Sequence, residues 1–201
     1  MAVLLVLITV LFISGNAVRS GLLPHVKTAF IGSGSILYSF SGTQVSETGE
    51  HQYLLETEAA YASCFSAGVE LRWIPDSDAE QLQSLQVIAV ETSDNICHIT
   101  LEPGFQPGSV IIQNGTLQVD SPFYPALVPS AAFVSGDMVY VLQADTSTGK
   151  INDVISACKV KAAPGNGQYI PCVSGIAPGT QVLIAWDRPL TIGGKVKVVS
   201  K

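Results

Sequence analysis

The sequence predicts an all-β protein made of antiparallel sheets, with at most one short helix. Two observations lead there. About a dozen short apolar or alternating runs recur at intervals of roughly 8–12 residues, the pattern of half-buried strands rather than of helices. Between them stand many of the chain's 18 Gly and 11 Pro, which supply the backbone angles that tight turns need. Apolar residues make up 47% of the 201 and charged residues only 13%, so the chain has the means to build a core and is not a disordered tail.

Residues 1–17, MAVLLVLITVLFISGNA, are mostly apolar and carry no Lys or Arg. A membrane-spanning helix needs about 20 such residues. The segment is therefore expected to be a secretory signal cleaved after Ala17, with a retained anchor, as in pilin-like filament subunits, as the rival. The strand runs follow in order: SILYSF (Ser35–Phe40), HQYLLE (His51–Glu56) and VELRWI (Val69–Ile74), then QVIAV (Gln86–Val90), HITLE (His98–Glu102), SVIIQ (Ser109–Gln113) and TLQV (Thr116–Val119). MVYVLQA (Met138–Ala144), KVKA (Lys159–Ala162), QYIP (Gln168–Pro171), TQVLIAW (Thr180–Trp186) and KVKVV (Lys195–Val199) complete the series. The polar run Asp76–Gln86 is the one candidate helix, capped by Asp76 or Ser77. Gly32-Ser33-Gly34 and Asn114-Gly115 are expected as hairpin turns, since Gly supplies the positive φ of two-residue loops. Trp73 and Trp186 are expected as core anchors.

In an exported chain, Cys64, Cys97, Cys158 and Cys172 suggest two disulfides, of which sequence alone permits three pairings. Cys158 and Cys172 lie nearly symmetrically about Gly165, so a cross-strand bridge there is feasible and would leave Cys64 to Cys97. Asn114-Gly115-Thr116 is a candidate glycosylation sequon. The net charge of −6 conceals an asymmetry. Residues 18–149 hold three basic against 14 acidic side chains, and residues 150–201 hold seven basic against two acidic. No basic stripe interleaves with aromatics, so no nucleic-acid partner is expected. His25, His51 and His98 lack ligand spacing, so neither a metal nor a cofactor is expected. No nucleophile elbow, metalloprotease helix, Walker loop or dinucleotide fingerprint is present, and the chain is not expected to be an enzyme.

Three segments share a plan of apolar lead, Val, Gly-containing turn and alternating strand: Gly21–Gln44, Phe105–Val119 and Ile155–Gly175. Trp73-Ile74-Pro75, Val128-Pro129-Ser130-Ala131-Ala132 with Gly136, Val139–Ala144, Lys159-Val160, Tyr169-Ile170-Pro171 and Gln181-Val182-Leu183 follow in the order of a longer unit. Pro107-Gly108-Ser109-Val110 and His51–Leu55 match other parts of it. Laid out this way the chain resembles the DM9 repeat, the β-rich module of secreted insect proteins and mannose-binding invertebrate lectins. Gln143 and Ser109 stand where the family carries Arg and Lys. The resemblance implies a signal peptide at 1–17, a partial repeat at 18–72, a first full unit at 73–127 and a second at 128–201, all packed as one domain. It also implies a secreted, lectin-like protein. In that reading Asp137 accepts from sugar hydroxyls, Lys159 donates to them, and Tyr140 or Tyr169 offers a ring face. The expected partner is a glycan or cell-surface ligand, with self-association possible and no stable membrane insertion after cleavage. The rival is an extracellular structural subunit that assembles through strand edges.

Overall fold

The computed structural model describes residues 23–49, 52–76, 82–104, 114–145 and 152–199. The expected leader at 1–17, His51 and the Pro107–Val110 segment lie outside them. Every regular element among the described residues is a strand except two short 3-10 turns, Ala59–Cys64 and Ser130–Ala132, and the all-β expectation holds. In chain order the strands are β1 (His25–Phe30), β2 (Gly32–Gly34), β3 (Leu37–Gly49), β4 (Gln52–Glu58), β5 (Glu70–Pro75), β6 (Gln83–Ser93), β7 (Ile96–Pro103) and β8 (Asn114–Asp120). They continue with β9 (Tyr124–Pro129), β10 (Phe133–Ser135), β11 (Met138–Asp145), β12 (Asn152–Lys159), β13 (Lys161–Ala162), β14 (Tyr169–Ser174), β15 (Gln181–Trp186) and β16 (Lys197–Val198).

Strands β3 to β8 close on themselves as a six-stranded barrel in the order β3-β4-β7-β6-β5-β8. Period-two alternation explains its interior: Leu71 and Trp73, Leu85 and Val87, Ile99 and Leu101, Leu117 and Val119 all point inward, and each is at most 2% exposed. The β6–β7 hairpin turns at Asp94-Asn95, both at positive φ (47° and 67°), as a two-residue loop with the right hand for strand twist requires. Closure pairs the first barrel strand with the last, Leu37 opposite Asp120, so the two ends of the barrel segment emerge side by side.

The remaining strands form a second lobe. A four-stranded sheet, β13-β14-β9-β2, packs on a six-stranded sheet in which β11 is flanked by β12 on one side and by β10 and β15 on the other. Ile31, Ala126, Val128, Val139, Val141, Cys172 and Val182 fill the space between the sheets. The six-stranded sheet then curls. Residues 193–196 bond to the outer edge of β12, through Gly193 N to Ile155 O at 2.8 Å and Val196 N to Asp153 O at 3.0 Å, and β16 continues alongside β1. Val26, Ile155, Leu183 and Val196 are buried inside that curl.

Among the described residues the lobes are joined at one place. Ser121, the buried polar side chain among the described residues, accepts the Ile36 N–H through its hydroxyl at 2.9 Å. Its own N–H donates to the Ile36 carbonyl at 2.8 Å. Nearby, the Tyr38 hydroxyl donates to Pro164 O at 2.5 Å and the Asn166 amide to Leu37 O at 3.2 Å, while Leu127 and Tyr169 pack against the barrel core.

Several sequence expectations are corrected. Gly32–Gly34 is a short strand paired with β9 rather than a hairpin turn. Asn114-Gly115 begins β8, and Gly115 is required there for close approach: a Cβ would stand 2.5 Å from the Ile74 carbonyl oxygen and 2.9 Å from the Trp73 indole. Gln83–Gln86, the C-terminal part of the expected helix, is strand, because Leu85 and Val87 alternate into the barrel. Apart from these corrections, the expected unit boundaries at 72/73 and 127/128 lie within β5 and β9.

The four cysteines are free thiols. The hairpin register sets Ala162, not Cys158, opposite Cys172, because the chain changes sheets at Val160. Cys158 faces Val139 across β11, and its thiol donates to Gly175 O at 2.9 Å. Cys64 ends a 3-10 turn and Cys97 sits on β7, both buried in the barrel core. Burial pushes the Cys64 and Cys172 thiols up to about 11 and raises Cys97 as well.

Two outcomes are expected. In urea unfolding, Gly115→Ala lowers stability by about 1–3 kcal/mol through overpacking at Trp73, and an unchanged midpoint would refute that role for the glycine. A chromogenic disulfide reagent at neutral pH labels Cys158 first and the other three thiols only as the protein unfolds. A denatured protein showing no titratable thiol would contradict the free-cysteine structure.

Candidate functional site

The candidate site lies at one end of the curled sheet, where β11 and β1 begin and β12 and β15 end. Alternation along β15 is interrupted there. Thr28 faces Leu183 and Lys27 faces Ala185, so Ile184 is skipped as a bulge residue and every later side chain changes face. Trp186 is thereby turned toward Tyr140, with ring centroids 6.0 Å apart and planes at 57°. It is 38% exposed. The expectation that both tryptophans anchor the core therefore holds for Trp73, at 0% exposure, and fails for Trp186. The sequence carried one overlooked signal: Trp186 ends its strand directly before Asp187 and Arg188, where an apolar ring is at a water boundary.

Around Trp186 runs a groove of about 410 Å³ lined by His25, Val26, Lys27, Ala185, Asp187 and Val199. Asp187 is its charged corner. The Asp187 carboxylate accepts the His25 backbone N–H at 2.8 Å, meets His25 Nδ1 at 3.2 Å and has Arg188 Nε at 3.7 Å. The hydrogen bond from the His25 N–H, with Arg188 and the His25 ring nearby, holds that carboxyl below the usual carboxylate range.

Of the residues singled out from sequence, Asp137 and Lys159 come together. Asp137 occupies the β10–β11 turn, its carbonyl accepts the Val160 N–H at 2.8 Å, and its carboxylate lies 3.0 Å from Lys159 Nζ. Both side chains are exposed enough to exchange this pairing for a ligand's hydroxyls. Tyr140 stands two residues along β11 from Met138, which faces Lys159, so Tyr140 and Lys159 share a face. Tyr169 is elsewhere: it pairs with Pro129 on β14 and packs against the barrel core at the junction of the lobes. Asn114 is exposed at the start of β8. Among the described residues no group of three or more His, Cys, Asp or Glu is placed to hold a metal ion, and no helix is long and apolar enough to cross a membrane.

No family model matches the chain, and no curated protein matches it. Among solved structures, the crystal structure of ZneB from Cupriavidus metallidurans is similar to it at 14% identity and a TM-score of 0.43, over 66% of this chain and 39% of that one. The chain thus spans well under half of that protein's length, and a likeness this distant bears on neither fold nor function.

The pH behaviour of the corner follows from its sign. A carboxyl with a depressed folded pKa adds stability that is complete above the unfolded value, about 3.9, and is lost as pH falls through the folded value. NMR titration of the Asp187 carboxyl carbon is expected to give a midpoint below about 3.9, and Asp187→Asn is expected to remove that component from the acid-unfolding curve. A midpoint at or above the free value would refute the assignment.

Proposed function

We propose that this protein is a non-catalytic recognition module that binds a carbohydrate at the Trp186 end of its curled sheet. The observation that carries this reading is the exposed Trp186 set beside Tyr140 at a groove cornered by Asp187 and His25. A sugar ring offers an apolar face and a rim of paired hydroxyls. The indole suits the first, while a carboxylate acceptor and cationic donors suit the second. Asp137 and Lys159, 3.0 Å apart at the same end, add a second acceptor and donor. The likeness of this region to DM9 repeats, in whose lectin members the corresponding Asp and Lys contact sugar, supports the same reading. Export through the 1–17 leader brings the protein to extracellular glycans.

A second reading is self-association through strand edges. It rests on the outer strands of the four-stranded sheet, β13 and β2, and on Phe30 and Phe123, which are 71% and 70% exposed.

Retention on mannose-agarose and quenching of Trp fluorescence by mannan test the first reading. Trp186→Ala and Asp137→Ala are expected to lose retention with an unchanged circular-dichroism spectrum. Passage of the wild-type protein unretarded over mannose, glucose and galactose resins, with light scattering that rises with protein concentration, would replace it by the second.

A further inference from the structure

The barrel holds a second opening, unrelated to the Trp186 end. Strand β3 pairs with β8 from Leu37 to Phe40, then resumes at Thr43 opposite Gly115. Phe40 and Thr43 thus step past two residues, Ser41 and Gly42, while β8 steps past one, Thr116. Gly42 sits at φ +68° with open space where a Cβ would be, and the Thr43 hydroxyl closes the bulge on Phe40 O at 2.7 Å. The bulge bends β3 away from its other neighbour. The β3–β4 ladder runs from Gly49/Gln52 to Val45/Leu55 and stops there.

Beyond that point, among the described residues, each strand is bonded on its far side alone. Thr43 and Gln44 pair with Gly115 and Asn114, and Glu56, Thr57 and Glu58 pair with His98, Cys97 and Ile96. Their inner edges face each other across a groove of about 600 Å³. Phe40, Leu55 and Leu117 lie in its lining, and Ser41, Thr43, Gln44, Glu56 and Glu58 supply its polar groups. Two diverging strand edges with unused backbone donors and acceptors are the geometry that a third strand fills.

The charge of the surroundings selects the occupant. Residues 37–120 hold twelve Asp and Glu against a single basic residue, Arg72, whose guanidinium already meets Asp120 at 3.6 Å. Glu56 and Glu58 alternate with the inward-facing Leu55 and half-buried Thr57 along β4. A strand inserted here sets every second side chain over Phe40, Leu55 and Leu117 and the others beside the carboxylates. We infer that the gap between β3 and β4 is a docking site for a short extended polypeptide segment in which Lys or Arg alternates with apolar residues, bound by β-strand addition. The apolar leader at residues 1–17 carries no Lys or Arg and does not fit this description.

The test uses the full chain and a fluorescein-labelled synthetic hexapeptide of alternating Lys and Val, with the Glu-Val hexapeptide as its counterpart. Fluorescence anisotropy is expected to show saturable binding of the Lys peptide, at least about tenfold tighter than the Glu peptide and weakened by salt. Hydrogen exchange is expected to show protection gained at the amides of residues 41–44 and 56–58. Glu56→Gln combined with Glu58→Gln is expected to weaken binding about tenfold, with an unchanged circular-dichroism spectrum. Equal binding of the two peptides, no binding of either, or protection gained only at other strand edges would overturn the proposal. If the double variant fails to fold, the exchange map of the unmodified protein decides alone.

Discussion

The reciprocal bonding of Ser121 and Ile36 is the constraint on which the rest of the molecule depends. A closed barrel must pair its first strand with its last, and here that pairing begins one residue beyond the Ser121–Ile36 contact, at Leu37 and Asp120. On the other side of the contact β2 and β9 pair in the same antiparallel sense, Gly34 facing Tyr124 and Gly32 facing Leu127. One two-stranded ribbon therefore runs through both lobes. Because the barrel's ends are already adjacent, the whole of it can be inserted between two neighbouring strands of the other lobe without disturbing that lobe's sheet. The Ser121 hydroxyl accepts where the ribbon loses a regular ladder partner, and a buried amide left without one would cost on the order of 1–3 kcal/mol.

Both openings described above arise from bulges, one on β3 at Ser41-Gly42 and one on β15 at Ile184. The two bulges act differently. On β15 the extra residue reverses which face receives the next side chain, which brings Trp186 out to Tyr140. On β3 it bends the strand and ends a ladder that would otherwise continue to the end of β4. In each case an irregularity of one or two residues, inexpensive within a sheet held by many other pairs, creates a surface that regular alternation would have sealed.

Charge divides along the same line as the strands. The barrel segment is strongly acidic, whereas residues 23–34 and 121–201 together carry eight basic side chains against four acidic ones. At physiological ionic strength such fields reach only about 8 Å, so they act where a partner touches. An acidic barrel and a basic second lobe thus favour different partners at their surfaces, and two of the ion pairs among the described residues, Arg72 with Asp120 and Lys159 with Asp137, are exposed and individually weak.

Much of the local structure was legible in the residues. Ile99 with Leu101 and Leu117 with Val119 announce their strands by alternation, because burial of one face is a property of a few neighbouring residues. Leu85, by contrast, falls within the expected helix, and the turn at Asp94-Asn95 is not among the expected turns. Of the site, Asp137 and Lys159 were legible as a pair, while Tyr169 was assigned to it from a motif and belongs instead to the junction of the lobes. The unread part is non-local. Gly115 serves Trp73, more than forty residues away, and its role depends on which strand lies beside β8. Cys172 meets Ala162 rather than Cys158 because the chain changes sheets at Val160, a choice made by core packing on two faces at once. The sequence by itself determined that the chain forms strands and which faces they bury. Only the tertiary structure decided which strands are neighbours, where a bulge shifts their register, and therefore that Trp186 is presented to solvent, since a shift of one residue reverses every side chain that follows it.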